Sequence, residues 1–160
     1  MSKAESGALR RIPASGPLFD EAAVARAEQA LADLSANFQD WLEEEVEKVQ
    51  AARLAAARSA WAEPDLQRLL HASHDLKGLG ATYSYPLATR IAASLCRLLQ
   101  TPEGRAAARA RPALIEAHVD AIRAAARNHI KTEDHEIGRA LLLVLERQVT
   151  ALSAAWEGVD

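Results

Sequence analysis

A single cysteine and a single methionine stand in this chain of 160 residues. One cysteine excludes an intramolecular disulfide framework and a thiolate zinc site. Glycine, proline and aromatic residues are scarce, and β-branched residues nowhere cluster into a run resembling a strand. No apolar run approaches the roughly 20 residues needed to span a bilayer, so no membrane partner is expected. Neither sign of charge dominates, since 19 Lys and Arg face 22 Asp and Glu for a formal net charge of -3. That balance gives no reason to expect nucleic acid or an anionic membrane as a partner. The stretch Met1 to Gly16 has no apolar core, so no secretory signal is expected there and the expected location is cytoplasmic.

What the chain has in abundance is alanine, about a fifth of all residues, followed by leucine. Both lead the helix-propensity ranking, and summed over long windows they favour helix. Residues 1–18 mix Ser, Gly, Pro, Lys and Arg without periodicity and read as a flexible N-terminal tail, leaving residues 19–160 as one helical domain. From Phe19 the pattern becomes helical, with Ala27, Leu31, Leu34, Phe38, Trp41, Leu42, Val46 and Val49 recurring at steps of three and four and Leu54 extending the stripe. It predicts one long helix to about Ser59, or two helices divided at a cap on Ser35. Pro64 and Asp65 open a helix reaching about Tyr83, where Ser84 and Pro86 break it. Leu87, Ile91, Leu95, Leu98 and Leu99 mark a third helix, Thr101 to Pro112 a connection with a short helix at 105–110, and Leu114 to Ala125 a fourth long element. Thr132 is the expected cap of a last helix with Glu133, Asp134 and Glu136 in its first turn. The expected fold is all-α, an antiparallel four-helix bundle with an additional N-terminal helix or helix extension.

The helix beginning at Pro64 carries the chemistry. At 100° per residue, Leu66, Leu69, Ser73, Leu76, Gly80 and Tyr83 share the core face. His74 lies off that face, on a strip with Gln67, Leu70, His71, Lys77, Gly78 and Ala81. A glycine inside a helix costs about 1 kcal/mol against alanine, and this helix has two. Gly80 points inward, where close packing explains it. Gly78 lies beside His74, where packing does not, and the functional reading is that it removes bulk so that another surface reaches the imidazole. A neutral imidazole is a nucleophile near pH 7. Attack on phosphorus asks mainly for an accessible nitrogen and a nearby cation, and Lys77 stands one turn on.

At these residues the sequence resembles the histidine-containing phosphotransfer (HPt) domains of multistep two-component signalling, whose pattern His-x-x-Lys-Gly stands here as His74-Asp75-Leu76-Lys77-Gly78. The resemblance implies that His74 is phosphorylated, that Lys77 supports the phosphoryl group and that Gly78 clears space for a receiver domain. The strip residues Gln67, Leu70, His71 and Ala81 are the expected docking surface. Leu87, Ile91 and Leu95 look like the apolar positions of the family's next helix. Two departures are Leu79, where many members have a small polar residue, and Ser84, where many have a glycine. The implied partners are the receiver domain of a hybrid histidine kinase and a response regulator. The chain is expected to act as a monomer without a cofactor, Mg2+ belonging to the partner's receiver.

The plainer readings are a solvated surface histidine at His74 and a helical interaction adaptor that carries no phosphoryl. Asp75 and the run Glu43-Glu44-Glu45 read as solvated faces, Leu79 as a packing residue, Cys96 as a small hydrophobe and His118 as a hydrogen-bonded edge residue. His71 with His74, or His129 with His135, would make only a two-ligand metal site. No glycine-rich phosphate loop is present, so ATP-dependent kinase activity of its own is not expected.

Overall fold

The computed structural model describes residues 20–82 and 84–157. Among those residues every regular element is a helix: α1 (Glu21–Arg58), α2 (Glu63–Thr82), α3 (Pro86–Leu99), α4 (Pro102–Ala110), α5 (Pro112–Arg127) and α6 (Glu136–Glu157). Phe19 and the expected tail lie outside the described residues, as does Tyr83. The chain divides into two compact units, Met1–Asn37 and Phe38–Asp160.

The described part of the first unit is the N-terminal stretch of α1. Asp20 starts it, its carboxylate accepting the Ala23 N–H at 2.5 Å, as an N-cap aspartate does. Val24, Leu31 and Leu34 are exposed there. Ser35 does not interrupt the helix.

In the second unit the buried residues of α1 are Leu42, Val46, Val49 and Ala56. The expected stripe was broader than this, because Trp41 and Leu54 remain about 40% exposed (44% and 43%); Trp41 packs against Phe38 instead, their ring centroids 5.7 Å apart. Helix α3 is the hub, packing against α2, α4, α5 and α6. Its position explains its composition: Leu87, Ala88, Ile91, Ala92, Leu95, Leu98 and Leu99 are all buried. Two arginines tie α6 to it. Arg90 reaches Glu146 at 2.6 Å and Glu133 at 3.1 Å, and Arg97 donates to Thr150 and Ser153 at 3.0 Å each. Helix α1 is joined to α5 through Arg53, 3.2 Å from Asp120, and through the Gln39 amide on the Ala126 carbonyl.

Helix ends explain most boundary differences. Thr101 caps α4 by accepting the Gly104 N–H at 3.0 Å, so that helix starts at Pro102, earlier than the composition suggests. Conversely α6 starts at Glu136, after the expected Thr132 cap. Its capping acceptor is Nδ1 of His135, which takes the Gly138 N–H at 3.1 Å. Glu133 lies outside the helix and engages Arg90.

Two buried groups correct or sharpen the sequence reading. His118 is fully buried rather than at an edge. Its Nδ1 lies 2.7 Å from the Leu114 carbonyl and its Nε2 2.9 Å from Ser94 Oγ. Those contacts fit a neutral ring that donates from Nδ1 and accepts at Nε2, and burial pushes its pKa below the ordinary value. Cys96 is buried, and desolvation pushes its thiol up to about 11. A thiol so poised stays protonated and packs as an apolar group.

Candidate functional site

Helix α2 places the site. Glu63 and Asp65 put negative charge in its first turn, where the helix dipole favours it. The Glu63 carboxylate accepts from Gln67, Arg105 and Arg109, which hold its carboxyl below the usual range. Short helix α4 thereby anchors the start of α2. The core face is buried where the periodicity placed it, at Leu66, Leu69, Ser73, Leu76 and Gly80. Ser73 satisfies its hydroxyl on the Leu69 carbonyl at 2.8 Å. The far end closes with the Tyr85 N–H on the Gly80 carbonyl at 2.9 Å and Ser84 in the left-handed region, φ 61°. That is a helix-terminating turn in which glycine would be unstrained.

With one face committed to the core, the opposite strip is presented outward. His74, His71, Gln67, Gly78 and Ala81 are exposed, Lys77 is half-buried, and Leu70 is half-buried against the core. A Cβ built on Gly78 would meet nothing within 4 Å. One built on Gly80 would overlap Oγ1 of Thr89. The two glycines of the helix therefore differ in kind, one opened to solvent and one closed by packing.

His74 and Gly78 line an open hollow of about 500 Å3 between α2 and α1. Asp75, Leu79 and Thr82 complete its α2 wall, and Glu45 and Lys48 form the α1 side. The Thr82 hydroxyl donates to the Gly78 carbonyl at 3.0 Å. Lys48 Nζ is 2.5 Å from Glu45 Oε1, and this carboxylate, with Glu44 and Asp75 near it, raises the lysine's pKa.

Of the residues singled out from sequence, the hollow brings together only His74 and Gly78. Lys77 stands on the other flank of His74, close enough to Cys96 of α3 for its charge to act on that thiol. Gln67, Leu70, His71 and Ala81 are spread along the strip outside the hollow, and the Gln67 amide is engaged with Glu63 at 3.2 Å. Sequence reasoning set Asp75 and Glu45 aside as solvated and did not single out Lys48. The only available signal for the α1 pair was the continuation of its amphipathic stripe, which fixes the outward edge of α1 but not which residue of α2 it meets. Among the described residues no group of three or more His, Cys, Asp or Glu is placed to hold a metal ion, and no helix is long and apolar enough to cross a membrane.

An accessible imidazole, cations on its two flanks and an adjoining surface stripped of bulk suit transfer of a small anionic group to a ring nitrogen. A family model described as Hpt domain matches residues 33–155. No curated protein and no solved structure matches the chain.

Proposed function

The chain belongs to the Hpt domain family, and from that premise we propose that it carries a phosphoryl group on His74 between a receiver-domain aspartate and a response regulator. In the transfer a lone pair of one ring nitrogen forms the N–P bond. The bond from phosphorus to the aspartyl oxygen breaks, and its electron pair leaves on the carboxylate. The ring keeps the proton on its other nitrogen and gains a formal positive charge, so no general base is required. The reverse sequence delivers the group to the next aspartate.

The observation that carries this reading is the pairing of an exposed His74 with Gly78, beside which a side chain would meet nothing within 4 Å. A mid-helix glycine without a packing reason is otherwise a cost without return. Lys77 is assigned as a cation for the bound phosphoryl group, and Gln67, Leu70, His71 and Ala81 as the docking strip. The partners fitting this chemistry are the receiver domain of a hybrid kinase and a response regulator.

Incubation with a phosphorylated receiver domain, followed by detection of acid-labile phosphate on this chain, tests the proposal. Uptake is expected within the time course of the receiver's own phosphate loss. A chain that takes up none is an interaction adaptor instead.

A further inference from the structure

Two charged groups at the hollow have no part in the motif on α2. Lys48 and Glu45 come from α1, yet they line the same hollow as His74 and Gly78. Among the hollow's lining residues Lys48 is the one carrying an ammonium. Its side chain is 63% exposed while that of Glu45 is 20% exposed, so the cation is the solvated member of the pair and the carboxylate the more enclosed one. The Asp75 carboxylate, on the residue directly after His74, is near enough to act on the Lys48 ammonium, though less than Glu45 does.

We infer that Lys48 is a second positioning cation for phosphoryl on His74, approaching from α1 while Lys77 acts from the opposite flank. This rests on the phosphotransfer reading of His74. In the unmodified domain Glu45 holds the ammonium at 2.5 Å. A phosphoryl group on His74 places up to two negative charges at the mouth of the same hollow, and the flexible four-carbon stem of lysine lets the ammonium turn toward them. Glu45 then sets the affinity of the exchange, since a carboxylate in competition for the ammonium weakens its hold on phosphate. The two residues form an adjustable arm rather than an ordinary surface ion pair.

The test is the equilibrium distribution of phosphoryl between a receiver aspartate and His74, measured for the parent, Lys48→Met, Lys48→Arg and Glu45→Gln, with His74→Gln as the control. Lys48→Met is expected to shift the ratio toward the receiver by roughly two- to fivefold, the size of a partly solvated ion pair. Lys48→Arg should recover most of the shift, and Glu45→Gln should move the ratio toward His74. The Lys48→Met effect should shrink as salt is added, because screening weakens an exposed charge contact. A merely structural role would show neither the arginine recovery nor the salt dependence. If the parent is phosphorylated on His74 and Lys48→Met leaves the ratio unchanged at low salt, the inference fails while the phosphotransfer reading stands. If the parent takes up no phosphoryl, both fall.

Discussion

Gly80 and Thr89 are locked together: a Cβ on the glycine would overlap the threonine Oγ1, while two residues earlier a Cβ on Gly78 would meet nothing within 4 Å. The contrast separates a glycine kept for packing from one kept for access. Gly78→Ala should therefore stabilise the free domain by up to about 1 kcal/mol, the helix-propensity difference. Gly80→Ala should destabilise it, because the added methyl must displace Thr89 at the α2–α3 contact. Urea denaturation of the two variants beside the parent checks both signs. Equal effects from the two alanines would remove the distinction.

Access is a separate matter from stability. Gly78→Glu should leave helical circular dichroism intact and block phosphoryl uptake, because a long anionic side chain would stand beside an imidazole that must meet an anionic group. Uptake at the parental rate would end the clearance role of Gly78.

For Lys77 the charge and the shape can be pulled apart. Lys77→Ala should slow uptake from a phosphorylated receiver by about a factor of five, equivalent to on the order of 1 kcal/mol. Lys77→Arg should retain part of the rate, since it keeps the charge with a different reach. Three identical time courses for alanine, arginine and parent would reduce Lys77 to a surface residue.

The buried His118–Ser94 pair makes a pH prediction. Burial lowers the folded pKa of His118 from its ordinary 6.5. Above that value both folded and unfolded chains hold a neutral ring. Below it the unfolded chain binds a proton that the folded chain resists, so stability falls as pH drops toward the folded pKa. The urea midpoint should fall between about pH 7.5 and about pH 5.5, a window above the carboxylate range. The double variant Ser94→Ala with His118→Leu should show a smaller fall. An unchanged slope would mean that His118 does not carry the dependence.

Much of this architecture was legible because the core faces are periodic: Leu66, Leu69, Leu76 and Gly80 of α2 and Leu87, Ile91 and Leu95 of α3 are buried as their spacing demands. Helix ends were harder, and the reason is chemical. Left-handed residues end α1, α2 and α5, but they are Ala60, Ser84 and His129 rather than glycines. The usual glycine signal of a C-terminus is thus absent. At the start of α6 the capping acceptor is an imidazole, His135, instead of the hydroxyl of Thr132. The motif on α2 identified His74 and Gly78, since neighbours on one helix follow from 100° per residue. Lys48 and Glu45 could not be found that way. Their place beside His74 depends on the register of α1 against α2, which periodicity within either helix leaves open.

The identity of the phosphorylated atom bears most directly on all of this. Parent, His71→Gln and His74→Gln domains should be incubated in parallel with one phosphorylated receiver and the acid-labile phosphate on each measured. Uptake by the parent and, at an equal or slower rate set by its place on the docking strip, by His71→Gln, with none by His74→Gln and an unchanged melting temperature for all three, is the expected result. Phosphoryl that persists in His74→Gln, or that is lost only in His71→Gln, would contradict the assignment of His74.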